Sequence, residues 1–168
     1  ISFKTNDGEE IFGMMVKPQN FDPSKKYPLI IRMHGGPVSQ YGLSFRFDWQ
    51  LFAANEYIVM AMNPRGSSGR GLDFQKVIFA DWGNVDADDV SALADYAISL
   101  GYVDPQRLGL GGWSYGGMLT NYVIAKDDYY FVYPNNYSSY VKKLNGSFQH
   151  GGISLFELIV PLATLVPK

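Results

Sequence analysis

The chain has 168 residues and a formal net charge of −2, with 46% hydrophobic and 18% charged residues. That balance fits one folded domain with a sizeable core, and it excludes a disordered chain or a basic surface for nucleic acid. Cysteine is absent, which rules out disulfides and thiolate metal sites. No apolar run reaches the roughly 18 residues that cross a bilayer. No signal peptide is visible, so the sequence assigns no compartment. It starts at Ile1 rather than Met, as expected of a chain that begins inside a longer protein.

In chain order, residues 1–17 read as a hairpin: "ISFKT" and "EEIFGMMVK" flank Asn6-Asp7-Gly8, and Asp-Gly is a strong turn signal. Pro18, Pro23 and Pro28 punctuate a loop. Leu29 to Met33 form an apolar run with one arginine, read as a buried strand that empties into His34-Gly35-Gly36-Pro37. A short helix follows, then a strand at Tyr57 to Met62 and the glycine-rich loop Asn63 to Gly71. Val90, Leu93, Ala94, Ala97 and Ile98 make one apolar stripe at helical spacing. Asp86, Asp88 and Asp89 fall in its first turns, where carboxylates favour the positive end of the helix dipole, and Gly101 falls just past its end. Those aspartates are expected to serve helix-end electrostatics only. After "VDPQ" comes a short strand in "RLGLGGW", then Ser114; Met118, Leu119, Tyr122 and Val123 resume helical spacing. Strands alternating with helices predict a mostly parallel sheet covered on both faces.

Gly112-Trp113-Ser114-Tyr115-Gly116 is a G-x-S-x-G pattern with a strand before it and a helix after it. A serine hydroxyl is a poor nucleophile that needs exposure beside a general base. A strand-to-helix elbow supplies the exposure and turns the Tyr115 N–H toward a carbonyl under attack. "HGGP" is placed to give a second donor, because Gly35 and Gly36 let backbone approach a substrate closely. His34 is expected to be a structural histidine, since in this arrangement the base follows the serine. Arg65 and Arg70, in "NPRGSSGRG", lie after a strand end on the same side as "HGGP", and Arg65 is the candidate substrate contact.

Together "HGGP", "NPRGSSGRG", "DWGNVDADDV" and "GGWSYGG" resemble the catalytic domain of the prolyl-oligopeptidase family over roughly residues 1–126. The resemblance implies an α/β-hydrolase fold, truncated here after the nucleophile-bearing strand and helix. It also implies Ser114 as nucleophile, Gly36 and Tyr115 as backbone oxyanion donors, short peptides as substrates, no cofactor, and an upstream β-propeller that this chain lacks.

Past Lys126 the texture changes, and none of the family's downstream motifs is seen. "FQHGGISLFELIVPLATLVPK" resembles the end of a PglZ-type domain of the alkaline-phosphatase superfamily, and the resemblance implies that His150 is a relic zinc ligand; an ordinary polar loop histidine and a triad base are the other two readings. One ligand cannot hold a metal, and no bound metal is expected. The sequence thus divides into a partial peptidase domain, 1–126, and an unrelated segment, 127–168. Two other readings stay open: a non-catalytic hydrolase fragment or chimera, and a metal-dependent phosphohydrolase fragment argued from the tail alone. His150 follows Ser114 by 36 residues, room for about one strand-helix-strand unit. Inefficient turnover is therefore expected of the chain as given.

Overall fold

The computed structural model describes residues 1–126. Its opening hairpin pairs β1 (Ser2–Lys4) with β2 (Glu10–Val16) antiparallel, Phe3 opposite Ile11. The turn closes as Asn-Asp-Gly predicts: Gly8 takes φ 89° and its N–H donates to the Thr5 carbonyl at 2.9 Å. Phe3 and Ile11 point into the core, which fixes the register, because a slip of one residue would turn both outward.

Next come β3 (Tyr27–Met33), α1 (Phe47–Ala54) and β4 (Ile58–Asn63). They are followed by α2 (Leu72–Lys76), α3 (Val85–Ser99), β5 (Val103–Gly112) and α4 (Tyr115–Lys126). The five strands lie in the order β1-β2-β4-β3-β5. β4, β3 and β5 run parallel, and the hairpin adds an antiparallel edge through β2 and β4. The sheet is therefore mixed, with the three strands that end at the candidate site all parallel.

Both faces are covered, as alternation along β4 shows. Ile58, Met60 and Met62 join the larger core under α3 and α4, whereas Val59 and Ala61 pack with Trp49 of α1. In α3 the expected stripe is the packed face: Val90, Leu93 and Ala97 are buried, and Ala94 and Ile98 are partly so. Gly101 at φ 84° follows the helix end, a left-handed position that glycine takes without strain.

Two elements differ from the sequence reading. α2 was not foreseen, because five residues are too few to show an apolar period. β5 also starts earlier than "RLGLGGW". Tyr27 pairs with Val103 while Leu29 pairs with Leu108, so Asp104 to Arg107 bulge out of the ladder. Asp104 holds the bulge by accepting from the Gln106 N–H at 2.9 Å and Arg107 Nε at 2.8 Å.

Candidate active site

The parallel strands β3, β4 and β5 deliver three loops to their carboxyl ends, where ligands of open α/β sheets bind. Ser114 stands between β5 and α4, exposed, at φ 55°. A non-glycine residue in this left-handed region costs about 1–3 kcal/mol, so its surroundings must hold it there. The first turn of α4 does so: the N–H groups of Gly117 and Met118 donate to the Ser114 carbonyl at 2.9 and 3.1 Å. Gly116 N–H donates to Trp113 at 2.9 Å. A side chain at Gly112 would put its Cβ 2.5 Å from the Met33 carbonyl oxygen, and one at Gly116 would overlap the same oxygen. The elbow thus closes only because both positions are glycine.

The His34-Gly35-Gly36-Pro37 turn lies against this elbow. A Cβ on Gly35 would sit 3.3 Å from Ser114 Cβ and 3.2 Å from the Trp113 carbonyl. His34 is buried, its ring edge-on to Tyr41, with Nδ1 2.7 Å from the Gly35 carbonyl and Nε2 2.9 Å from Ser67 Oγ. A carbonyl only accepts, so Nδ1 carries the proton and Nε2 accepts from the Ser67 hydroxyl. Within a trans peptide the C=O and N–H point in opposite directions. Anchoring the Gly35 carbonyl therefore fixes the direction of the Gly36 N–H. His34 is structural, as expected, yet it sets the geometry of a candidate oxyanion donor.

Desolvation holds the His34 imidazole below its ordinary value. Between that lowered value and the unfolded one, the unfolded chain binds the proton that the folded chain refuses, so stability rises with pH through this window. As pH drops from about 8 to 5, the melting temperature of the wild type is expected to fall relative to that of His34→Gln. Equal slopes for the two proteins would show that His34 does not titrate in this way.

The Asn63 to Gly71 loop packs beside the turn. Asn63 Oδ1 accepts from the Tyr41 N–H at 2.7 Å and its Nδ2 donates to the Tyr41 carbonyl at 3.0 Å. Ser68 N–H donates to the Ser39 carbonyl at 2.9 Å. The loop is thus on the expected side of the sheet, but its arginines point to other duties. Arg65 is buried, with Nε and Nη2 on Asp89, Nη1 on Asp7 at 2.5 Å and a further bond to the Val85 carbonyl. Arg70 reaches Glu9 at 3.0 Å and the Glu10 carbonyl, over the Phe74 ring. In the position expected of a substrate contact, Arg65 has a guanidinium already committed to ion pairs.

The aspartates of α3 also do more than complement a dipole. Asp89 is buried on Arg65, accepting from Nη2 at 2.6 Å and from the Arg65 N–H at 2.8 Å. Asp86 is buried and accepts the Tyr115 hydroxyl. Of the three aspartates in the first turns of α3, Asp88 alone is exposed, paired with Lys126 at 2.6 Å. Sequence reasoning passes over the contacts of Asn63 and Ser67 and reads Asp86 only as a helix-end charge; a cluster of three aspartates at one helix start is the available sign of its further role. His150 lies outside the described residues.

A sequence profile described as the prolyl oligopeptidase family matches residues 43–141. An uncharacterized peptidase of Bacillus subtilis, YuxL, is 39% identical over 127 residues, which are 75% of this chain and 19% of that protein. Dipeptidyl-peptidase 5 of Schizosaccharomyces pombe is 36% identical over 126 residues, 73% of this chain and 18% of the relative. The acylaminoacyl peptidase of Pyrococcus horikoshii superposes with a TM-score of 0.69 at 32% identity, covering 76% of this chain and 21% of that one. The chain spans about a fifth of the length of these relatives, and the fold they share is the α/β-hydrolase type.

Proposed function

Because this chain belongs to the prolyl oligopeptidase family, we propose that it carries the nucleophile and oxyanion site of a serine peptidase acting on short peptides. The observation that carries this reading is the exposed Ser114 at φ 55° on a strand-to-helix turn, with the backbone of Gly35 packed against it. Ser114 Oγ attacks the peptide carbonyl and loses its proton to a general base. The developing oxyanion is received by the N–H groups of Gly36 and Tyr115, and water later releases the acyl group. Each oxyanion donor contributes about 3 kcal/mol to the transition state.

His34 is occupied by Gly35 and Ser67, so the base comes from outside the described residues. Arg65 braces the loop from Asn63 to Gly71 rather than touching substrate. We place the peptidase part at 1–126, supported by the change in sequence texture after Lys126, although the family match runs on to residue 141. An upstream β-propeller, and a tail like the end of a PglZ-type domain with His150 as a relic zinc ligand, complete the proposal.

Hydrolysis of chromogenic acyl-peptide anilides tests it. Turnover is expected about a thousandfold below that of a complete triad, lost in Ser114→Ala and unchanged in His150→Ala. Robust activity abolished by His150→Ala would instead make the tail the source of the base. Elemental analysis after dialysis is expected to find well below one zinc per chain; about one per chain would revive the phosphohydrolase reading.

A further inference from the structure

Tyr115 does two jobs at once. Its backbone N–H is the oxyanion donor beside Ser114, while its side chain is buried beneath the elbow. The phenol donates to Asp86 Oδ2, and Asp86 is itself fully buried near the start of α3. The other carboxylate oxygen, Oδ1, accepts from the Gly83 N–H at 2.8 Å and the Ala87 N–H at 3.1 Å. Trp82 packs edge-on against the Tyr115 ring with centroids 5.4 Å apart. Gly83 lies under the Tyr122 ring of α4, where any side chain would collide. One carboxylate therefore joins the 82–84 loop, the first turn of α3 and the elbow.

Ser114 and Trp113 are exposed, whereas the ring of Tyr115 is a buried anchor next to the strained φ of Ser114. We propose that Asp86 is a positioning residue for acyl transfer: through the Tyr115 hydroxyl it sets the direction of the Tyr115 N–H and holds Ser114 in its left-handed conformation. This rests on the reading of Ser114 as nucleophile. Burial and the Asp86 carboxylate both raise the phenol above its ordinary value, so it stays protonated and donates across the working pH range. Asp86 acts on the substrate only through Tyr115.

Asp86→Asn keeps the shape but removes the charged acceptor: its NH2 either faces the phenol, which must then turn and accept, or faces the Gly83 and Ala87 N–H donors. Tyr115→Phe removes one oxygen atom and leaves the backbone donor in place. Labelling of Ser114 by a fluorophosphonate reads the consequence. The maximal labelling rate is expected to fall about tenfold in each variant, with half-saturation concentration unchanged, because a misaimed donor weakens only the transition state. The double variant should fall no further than the slower single one, since both break the same bond. A purely structural role would lower the melting temperature while leaving the labelling rate of folded protein intact, and that result overturns the proposal.

The Tyr115 amide resonance in 1H–15N spectra supplies a readout independent of reactivity. It is expected to shift in both variants while amides of β1 and β2 stay put. An unmoved resonance overturns the clamp whatever Ser114 does. Labelling of wild type that persists in Ser114→Ala would sink the nucleophile reading instead, and the resonance would still decide the clamp. Should Asp86→Asn fail to fold, Tyr115→Phe alone carries both measurements.

Discussion

Arg65→Ala is expected to lower folding stability by about 3–5 kcal/mol, because it leaves a buried carboxylate without its counter-ion. Asp89 has no exposed side-chain surface, and Arg65 serves it with two guanidinium nitrogens and its own N–H. Asp7, the second partner, is more than half exposed, so its share is small. Burial pushes the Asp89 carboxyl up to about 6, with the Arg65 guanidinium and N–H pulling it back. Without Arg65 that restraint is gone and the carboxyl rises further. A group whose folded value is raised stabilises most when protonated and loses that contribution as pH climbs through the folded value. The deficit of Arg65→Ala should therefore be largest near neutral pH and shrink on acidification. Urea denaturation at two pH values measures both. A deficit below about 1 kcal/mol would mean that the pair behaves as a surface pair. Arg65→Lys should recover only part of the loss, since an ammonium cannot reproduce the two-pronged contact.

Gly116→Ala has the second large effect, this time on reactivity. The added Cβ would overlap the Met33 carbonyl oxygen and come within 2.8 Å of the His34 carbonyl oxygen. Both are backbone atoms and neither can rotate aside, so β3 and the elbow must part. Overpacking of this kind costs about 1–3 kcal/mol. The larger consequence is that Ser114 and the Tyr115 N–H move relative to Gly36, and a misplacement of about 1 Å can cost a hundredfold in rate. Gly117→Ala is the matched control: among the described residues its Cβ would meet only the Gly112 carbonyl oxygen, at an ordinary 3.5 Å. Fluorophosphonate labelling of Ser114 should be about a hundredfold slower in Gly116→Ala and near wild type in Gly117→Ala. Equal rates in all three proteins would show that the elbow does not depend on this approach.

Local signals in the sequence were enough for the hairpin, the stripe of α3 and the elbow. Asn6-Asp7-Gly8, the Val90 to Ile98 spacing and G-x-S-x-G between strand and helix each act over a few residues, and the structure has all three where they were expected. The bonds that join the loops are of another kind. His34 and Ser67 are 33 residues apart, Asp86 and Tyr115 are 29, and Arg65 and Asp89 are 24. No period or turn rule marks such partners, since the sheet order alone brings them together. That is why Asp86 and Asp89 read as helix-end charges and Arg65 as a substrate contact. An aspartate at a helix start has a sufficient local explanation, and nothing in its neighbours tells that it will be buried. The bulge at Asp104 to Arg107 was hidden for a related reason: it exists only relative to the register of β3.

The most direct test of Ser114 as the nucleophile is mass spectrometry of protein treated with a fluorophosphonate, comparing wild type with Ser114→Ala. With reagent in excess and incubation long enough to offset a missing general base, the predicted result is one adduct per chain, mapped to the peptide that contains Ser114 and absent from the variant. No adduct on that peptide, or the same adduct yield in Ser114→Ala, would contradict it.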